Sequence, residues 1–263
     1  MPNIEYDTLH LDACAIRIAR GGAGAPLLFL PDAQIGAAWL PFHDRLAERF
    51  EVILPEHPGY GGGDAPPWLD RVADLANFYL DAMAQLGLSK VHLIGAALGG
   101  WIAAELATRN TGRLASLTLI DAWGLRVAGV TGIDPFVTPD EEALRDLFAD
   151  PKAADEAVAR MLAPEGEDAL LKGKMVTAKL AWQPRLNDPH LAKWLHRIDV
   201  PTLIAWGAQD RLLPPAYGAA WQQAIAGARL VTVANAGHLP HVERPGETAA
   251  AILDFIALER AAT

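Results

Sequence analysis

The stretch VHLIGAALGGWIAAELATRN, residues 91–110, decides the fold. It begins with a short strand-like run, Val91 to Ile94, passes through a glycine-bounded turn centred on Ala97, and continues as a helical run from Trp101 to Asn110. A strand that runs directly into a helix is typical of a βα unit. The glycines allow strand and helix to approach closely, while the central residue is forced into a strained backbone conformation. The segment therefore predicts a sharp turn with Ala97 at its apex.

The same alternation of short apolar runs and amphipathic stretches continues on both sides of this turn. Apolar residues recur at helical spacing on one face between Leu69 and Leu86, which predicts a core-facing helix. Strands alternating with helices favour a mostly parallel sheet flanked by helices. The predicted strands are Ala15 to Ala19, Pro26 to Leu30, Glu51 to Pro55, Val91 to Ile94, Leu114 to Ile120, Thr202 to Trp206 and Arg229 to Val233.

The alternation stops in the segment 122–198, where Leu, Met, Trp and Ala are spaced helically and no strand-like run occurs. We expect a helical insertion there, between a core formed by residues 1–121 and 199–263. Thr138 is a predicted N-cap, followed by Pro139 at the first helical position and an acid, so one insertion helix should begin at this point.

Composition excludes several functional classes. The chain has 263 residues, 51% of them hydrophobic and 21% charged, with a formal net charge of −10. An acidic chain without a Lys or Arg run repels phosphate backbones, so we expect no nucleic-acid partner. No apolar stretch is long enough to span a bilayer and the first residues do not form a signal peptide, so we expect a cytoplasmic protein that does not bind membranes. The lone Cys14 is expected to be a buried structural thiol.

Two polar residues follow strands on the C-terminal side of the insertion. Asp210 comes shortly after the strand that ends at Trp206, and His238 follows the strand that ends at Val233. Because the carboxyl ends of parallel strands meet at one edge of a sheet, both side chains should lie near Ala97.

These motifs resemble those of the α/β-hydrolase family. The Gly95 to Gly99 turn is similar to its G-x-S-x-G nucleophile elbow, with Ala97 at the serine position. The order of elbow, acid and histidine is also that of the family. Residues 237–241 resemble its G-H-x-P-H loop, and residues 56–61 resemble its D-x-P-G-x-G turn. The resemblance covers about Leu27 to Phe255 and implies a mostly parallel, eight-stranded sheet flanked by helices, with a helical cap inserted after the sixth strand.

The resemblance also implies roles for individual residues. In a member with serine at the elbow, His238 takes the serine proton, and Asp210 holds its tautomer and stabilises the imidazolium. The backbone N–H groups of Leu98 and Ala33 would form the oxyanion hole. Relatives usually carry His-Gly before the second donor, whereas this chain has Pro31-Asp32. A carboxylate there would oppose a developing oxyanion.

Other residues in these motifs have weaker functional assignments. Asp121 and Trp123 follow the sixth strand and are candidate substrate contacts. His57 and His241 are expected to pack or to form turns. No group of histidines has the spacing of metal ligands, and we expect neither a metal nor a cofactor.

Ala97 leaves three interpretations open. The chain is an engineered Ser-to-Ala variant of a hydrolase, a natural ligand-binding protein that has lost ester hydrolysis, or an enzyme in which the His238 and Asp210 dyad acts as a general base. Removing the nucleophile from a triad costs roughly a millionfold in turnover, so we expect strongly impaired hydrolysis. The apolar insertion favours a small, largely apolar carbonyl compound as substrate or ligand, and the sequence leaves a homodimer open.

Overall fold

The sheet of the computed structural model has eight strands in the order β1-β2-β4-β3-β5-β6-β7-β8. The structure describes residues 2–63 and 65–262. β1 and β2 pair antiparallel, β2 joins β4 antiparallel, and every later pair is parallel. The strands are β1 Ile4–Leu11, β2 Cys14–Gly21, β3 Ala25–Leu30, β4 Phe50–Pro55, β5 Val91–Ala96, β6 Leu114–Ile120, β7 Thr202–Gly207 and β8 Arg229–Val233. The predicted fold class is confirmed.

All seven predicted strands are present, each within two residues of its predicted bounds. The sequence reasoning missed β1, which lies at the edge of the sheet and has one fully buried residue among its eight. Every residue of β5 and β7 is buried, because helices cover both faces of the sheet there.

Helices pack on both faces of the sheet. Buried residues of α2, α3 and α7 belong to one core cluster, and those of α1 and α9 belong to a second cluster. The helices are α1 Pro41–Ala47, α2 Val72–Gln85, α3 Leu98–Arg109, α4 Asp140–Arg145, α5 Pro151–Met161, α6 Pro164–Ala181, α7 Ala216–Ala224, α8 Pro240–Glu243 and α9 Pro245–Ala262, and two 3-10 turns span Leu191–Lys193 and Leu195–Arg197. Within the described residues, no helix combines the length and apolar composition needed to cross a bilayer.

The segment between β6 and β7 contains α4, α5, α6 and both 3-10 turns, and we call it the β6–β7 insertion. Leu144, Phe148, Met161 and Val176 of this insertion join the core cluster that also contains Ala97. The prediction for the start of α4 is wrong by one residue. Pro139, rather than Thr138, is the N-cap, and it makes no side-chain capping bond.

Candidate active site

Ala97 lies at the apex of the turn between β5 and α3, with φ 47° and ψ −109°. Backbone contacts enforce this conformation. A Cβ on Gly95 would lie 2.2 Å from the Gly99 carbonyl oxygen, and a Cβ on Gly99 would lie 2.0 Å from the Leu30 carbonyl oxygen. The Ala97 N–H donates to Ile120 O at 2.9 Å. The strained elbow predicted from the glycines is therefore present, with a methyl group where the family pattern has a hydroxymethyl group.

Asp210 and His238 form a buried hydrogen-bonded pair. The distance from His238 Nδ1 to Asp210 Oδ2 is 2.7 Å, and both side chains are fully buried. Asp210 Oδ1 accepts the N–H groups of Leu212 and Leu213, each at 2.9 Å. This carboxylate therefore accepts the Nδ1 proton and leaves His238 Nε2 as an acceptor.

Trp123 occupies that acceptor. Its indole Nε1 donates to His238 Nε2 at 3.1 Å, and the two rings are nearly parallel, with centroids 6.4 Å apart. Sequence reasoning proposed Trp123 as a substrate contact and did not anticipate its bond to the histidine. Only the position of Trp123 directly after β6 placed it at the correct edge of the sheet.

Asp121 lies close to the Asp210 and His238 pair. Its Oδ1 accepts the Gly207 N–H at 2.9 Å. Its Oδ2 is buried and has no hydrogen-bond partner among the described residues. Burial raises the pKa of Asp121 well above its usual range, and the nearby Asp210 carboxylate raises it further. This shift favours the neutral acid form of Asp121 beside the Asp210 carboxylate.

Asp121, Asp210 and His238 are also the one group among the described residues whose ligand atoms could hold a metal, all lying within 4.8 Å of one another. The His238 and Asp210 atoms are already paired with each other, and Asp121 is the acid behind them.

The predicted oxyanion donors are both available. Neither the Ala33 N–H nor the Leu98 N–H donates to an acceptor in the part of the chain that the structure describes. The predicted conflict with Asp32 takes a different form in the structure. Asp32 Oδ1 accepts the N–H groups of Gln34 and Ile35 at 2.8 and 2.6 Å, and Oδ2 lies 3.6 Å from His241 Nε2.

The Asp32 carboxylate is ionised in this setting. Burial alone would raise the pKa of Asp32, but the His241 imidazole and the Ile35 and Gln34 N–H groups together hold it below its usual value. The carboxylate thus belongs to a buried pair that joins the loop after β3 to α8.

His57 holds the loop after β3 through a hydrogen bond to Pro31. Its Nε2 lies 2.9 Å from Pro31 O and its Nδ1 lies 2.7 Å from Tyr79 Oη. Burial lowers the pKa of His57 to about 4, so the ring is neutral, donates to the carbonyl and accepts from the tyrosine. This contact agrees with the turn-forming role expected for His57.

A cavity of about 330 Å³ opens beside the elbow. Its walls are the loop 31–38, the turn around 56–61, and residues 160–173 of the β6–β7 insertion. Ala33 lines this cavity, whereas Ala97, Asp210 and His238 do not. Tyr60 and Gly173 also line it, and sequence reasoning missed both, although Tyr60 stands in the motif 56–61.

The insertion is bonded directly to the histidine loop. The His238 N–H donates to Leu147 O at 2.8 Å. Glu243 Oε1 accepts the Ala149 and Asp150 N–H groups at 2.9 Å, and its Oε2 accepts the Gly237 N–H at 2.5 Å. These hydrogen bonds join the β6–β7 insertion to the histidine loop, and no sequence motif indicated them.

Comparison with known proteins identifies the family. The model of the alpha/beta hydrolase family matches residues 22–251, so the chain belongs to this family. The chain is 27% identical to the 2-hydroxy-6-oxononadienedioate/2-hydroxy-6-oxononatrienedioate hydrolase of Klebsiella pneumoniae, over 95% of this chain and 91% of that protein. Its relatives thus include proteins named as hydrolases.

Two further similarities span most of the chain. The dihydrolipoyllysine-residue acetyltransferase component of the acetoin cleaving system of Cupriavidus necator is 27% identical over 92% of this chain, which spans 66% of that protein's length. A membrane phospholipase A described as a bacterial virulence factor superposes with a TM-score of 0.82 and 26% identity, covering 98% of this chain and 87% of that chain.

Proposed function

We propose that this chain is a member of the α/β-hydrolase family that has lost serine hydrolysis and binds a small, largely apolar carbonyl compound. One observation carries the proposal: a methyl group lies at the apex of an otherwise complete elbow, which Trp123 links by hydrogen bonds to the buried His238 and Asp210 pair. A methyl group cannot form an acyl-enzyme, which is the step that the elbow of a serine hydrolase performs.

The cavity beside Ala33 supports the class of ligand. Proline, alanine, isoleucine, leucine and methionine side chains line it together with four charged residues, Arg17, Asp32, Glu56 and Arg160. The apolar part favours an apolar body, and the charged part favours a polar end on the same ligand. The Ala33 N–H, free of any described acceptor, would donate to a carbonyl oxygen. The ancestral activity on this proposal is hydrolysis of a small carboxylic ester or similar carbonyl compound.

The third interpretation, general-base chemistry by the dyad, has less support. A general base needs a free lone pair within reach of the proton that it removes. The lone pair of His238 Nε2 already accepts from Trp123.

The activity test compares the parent, Ala97→Ser and Ala97→Ser/His238→Ala on short-chain aryl esters, with the burst titrated against enzyme. We expect a silent parent, a burst in Ala97→Ser, and no burst in the double variant, which has the hydroxyl without its base. Turnover by the parent that is lost in His238→Ala would overturn the non-hydrolytic proposal.

The binding test uses a panel of small aryl ketones and esters, with thermal unfolding and calorimetry as readouts. A Cβ on Gly173 would lie 3.5 Å from Ala33 O, so a leucine at this position fits its backbone and fills the cavity. We expect Gly173→Leu to weaken binding at least tenfold. The matched control is Gly246→Leu, on α9, where a Cβ meets no atom within 4 Å. Equal binding by the parent and Gly173→Leu would exclude this cavity.

A further inference from the structure

The Trp123 indole donates to the histidine nitrogen that receives the nucleophile's proton in a serine hydrolase. In a serine hydrolase the hydroxyl donates to the histidine nitrogen that faces the elbow. Here the Trp123 indole donates to that nitrogen, His238 Nε2, at 3.1 Å. We infer that Trp123 is a positioning residue that replaces the missing hydroxyl as the donor to His238 and holds the ring as the Nδ1–H tautomer with its Nε2 lone pair occupied. The inference rests on the proposed loss of serine hydrolysis.

The backbone fixes the indole in this place. The Trp123 N–H donates to Ala97 O at 3.0 Å, so the residue that carries the indole is bonded to the elbow itself. The preceding carbonyl, Ala122 O, accepts the Trp221 indole at 3.1 Å, and the following Gly124 N–H donates to Leu186 O at 3.0 Å. Trp123 is 1% exposed. The ring therefore has contacts on all sides and little freedom to swing away.

The acceptor distinguishes Trp123 from other buried tryptophans near the site. Trp206 and Trp221 are also almost fully buried, and their indoles donate to the backbone carbonyls of Leu213 and Ala122. Such bonds satisfy an indole without affecting a reactive group. The Trp123 bond instead completes a line in which Trp123 donates to His238, and His238 donates to Asp210.

This line leaves the imidazole no function as a base. A neutral histidine has one donor and one acceptor nitrogen, and both are now paired inside the protein. A serine restored at position 97 has to compete with the indole for one lone pair. The substitution of the nucleophile and the presence of Trp123 are then two parts of one inactive arrangement, and restoring serine alone should recover only part of the activity.

The first test is spectroscopic and needs no activity. In the ¹⁵N-labelled parent we expect His238 as the Nδ1–H tautomer, with a scalar coupling across the hydrogen bond between Trp123 Nε1 and His238 Nε2. Trp123→Phe should abolish the coupling, and Trp39→Phe, which removes an indole that donates to Asp44 Oδ1 outside the site, should keep it. A His238 Nε2–H tautomer, or an unperturbed His238 spectrum in Trp123→Phe, would overturn the inference. Because the parent carries the decisive signal, the test stands even if a variant fails to fold.

The second test uses Ala97→Ser, Ala97→Ser/Trp123→Phe and Ala97→Ser/Trp39→Phe. We expect the burst rate on aryl esters to rise at least tenfold on adding Trp123→Phe and to stay unchanged on adding Trp39→Phe. Equal rates in all three would show that the indole does not compete with serine and would overturn the inference. If all three are silent while the coupling is present, the inferred role of Trp123 stands and the proposed hydrolytic ancestry fails.

Discussion

The two sides of the candidate site depart from the family pattern in different ways. At the elbow a single side chain differs, and the turn keeps its geometry because the contacts of Gly95 and Gly99 are made by backbone atoms. In the loop after β3, Pro31-Asp32 departs from the His-Gly that the family resemblance implies, and the Asp32 carboxylate lies 3.6 Å from the buried His241 Nε2. A turn held by its backbone can lose its reactive group without changing shape. A loop held by side chains must form new contacts when its sequence changes.

The elbow should be the more fragile side toward added volume. Gly99→Ala places a methyl 2.0 Å from Leu30 O, and overpacking of this kind costs about 3 kcal/mol or more. The expected loss opposes helix propensity, which favours alanine within α3. Urea unfolding followed by circular dichroism measures the change. Gly62→Ala, where a Cβ meets nothing within 4 Å, should stay within about 0.5 kcal/mol. A stable Gly99→Ala would mean that the backbone contact does not hold the turn.

The loop after β3 should instead be sensitive to charge. Asp32→Asn keeps an acceptor for the Gln34 and Ile35 N–H groups but removes the buried carboxylate that lies 3.6 Å from His241 Nε2, and we expect a loss of roughly 2 kcal/mol at pH 7. Because the folded pKa of Asp32 is lowered, the carboxylate stabilises the fold above its unfolded pKa, and this contribution disappears as the pH falls through the folded pKa. The deficit of the variant should therefore shrink in acid.

A surface ion pair provides the control for Asp32. Glu51→Gln removes the partner of Arg20, a partly exposed pair at 2.9 Å, and should change the free energy of unfolding by less than about 1 kcal/mol. An Asp32→Asn deficit that persists unchanged at pH 3 would mean that the carboxylate charge does not stabilise the loop.

Neutral histidines under the loop should make the protein sensitive to acid. Burial lowers the pKa of His43 to about 3 and that of His57 to about 4. Below about pH 6.5 these two histidines bind protons in the unfolded chain but stay neutral in the folded chain. The free energy of unfolding therefore decreases by about 1.4 kcal/mol for each unit by which the pH is lowered and for each ring. Unfolding titrations between pH 6.5 and 4.5 test this. His57→Gln should lower the slope by one proton, and a slope equal to that of the parent would contradict a neutral His57 in the folded chain.

Much of the fold could be predicted because its signals are local. The strands β3 to β8 are short, buried and bounded by turn residues, and the elbow glycines stand within one segment of the chain. β1 was missed because most of its residues are exposed, so it lacks a continuous apolar run. Thr138 has a side chain typical of an N-cap, but the N-cap of α4 is Pro139, one residue later.

The pairings within the site were beyond the sequence because they join distant segments. Trp123 follows β6 and His238 follows β8, so the strand order brings them to one edge of the sheet, but no spacing along the chain encodes the bond between the two rings. The same holds for Asp32 and His241, where the sequence indicated a conflict with an oxyanion and the structure shows a buried side-chain contact at 3.6 Å. The roles of Ala33 and Leu98 as oxyanion donors remain predictions.

The smallest expected effect is that of replacing Asp121, near the His238 and Asp210 pair, at pH 4. Asp121→Asn preserves the acceptor for Gly207 and a donor toward Asp210, so the variant should match the parent at pH 4. Because the folded pKa of Asp121 is raised, the unfolded chain loses this proton at lower pH than the folded chain does, and the parent loses stability as the pH rises toward the folded pKa. At pH 7 the variant should therefore be more stable than the parent, by up to about 1.4 kcal/mol for each pH unit between the unfolded and folded pKa values. Asp121→Leu, which leaves the Gly207 N–H without its acceptor, should be about 1–3 kcal/mol less stable than Asp121→Asn at both pH values. An Asp121→Asn variant that is less stable at pH 7 than at pH 4, relative to the parent, would mean that Asp121 is ionised, and the His238 and Asp210 pair would then face a second negative charge instead of a donor.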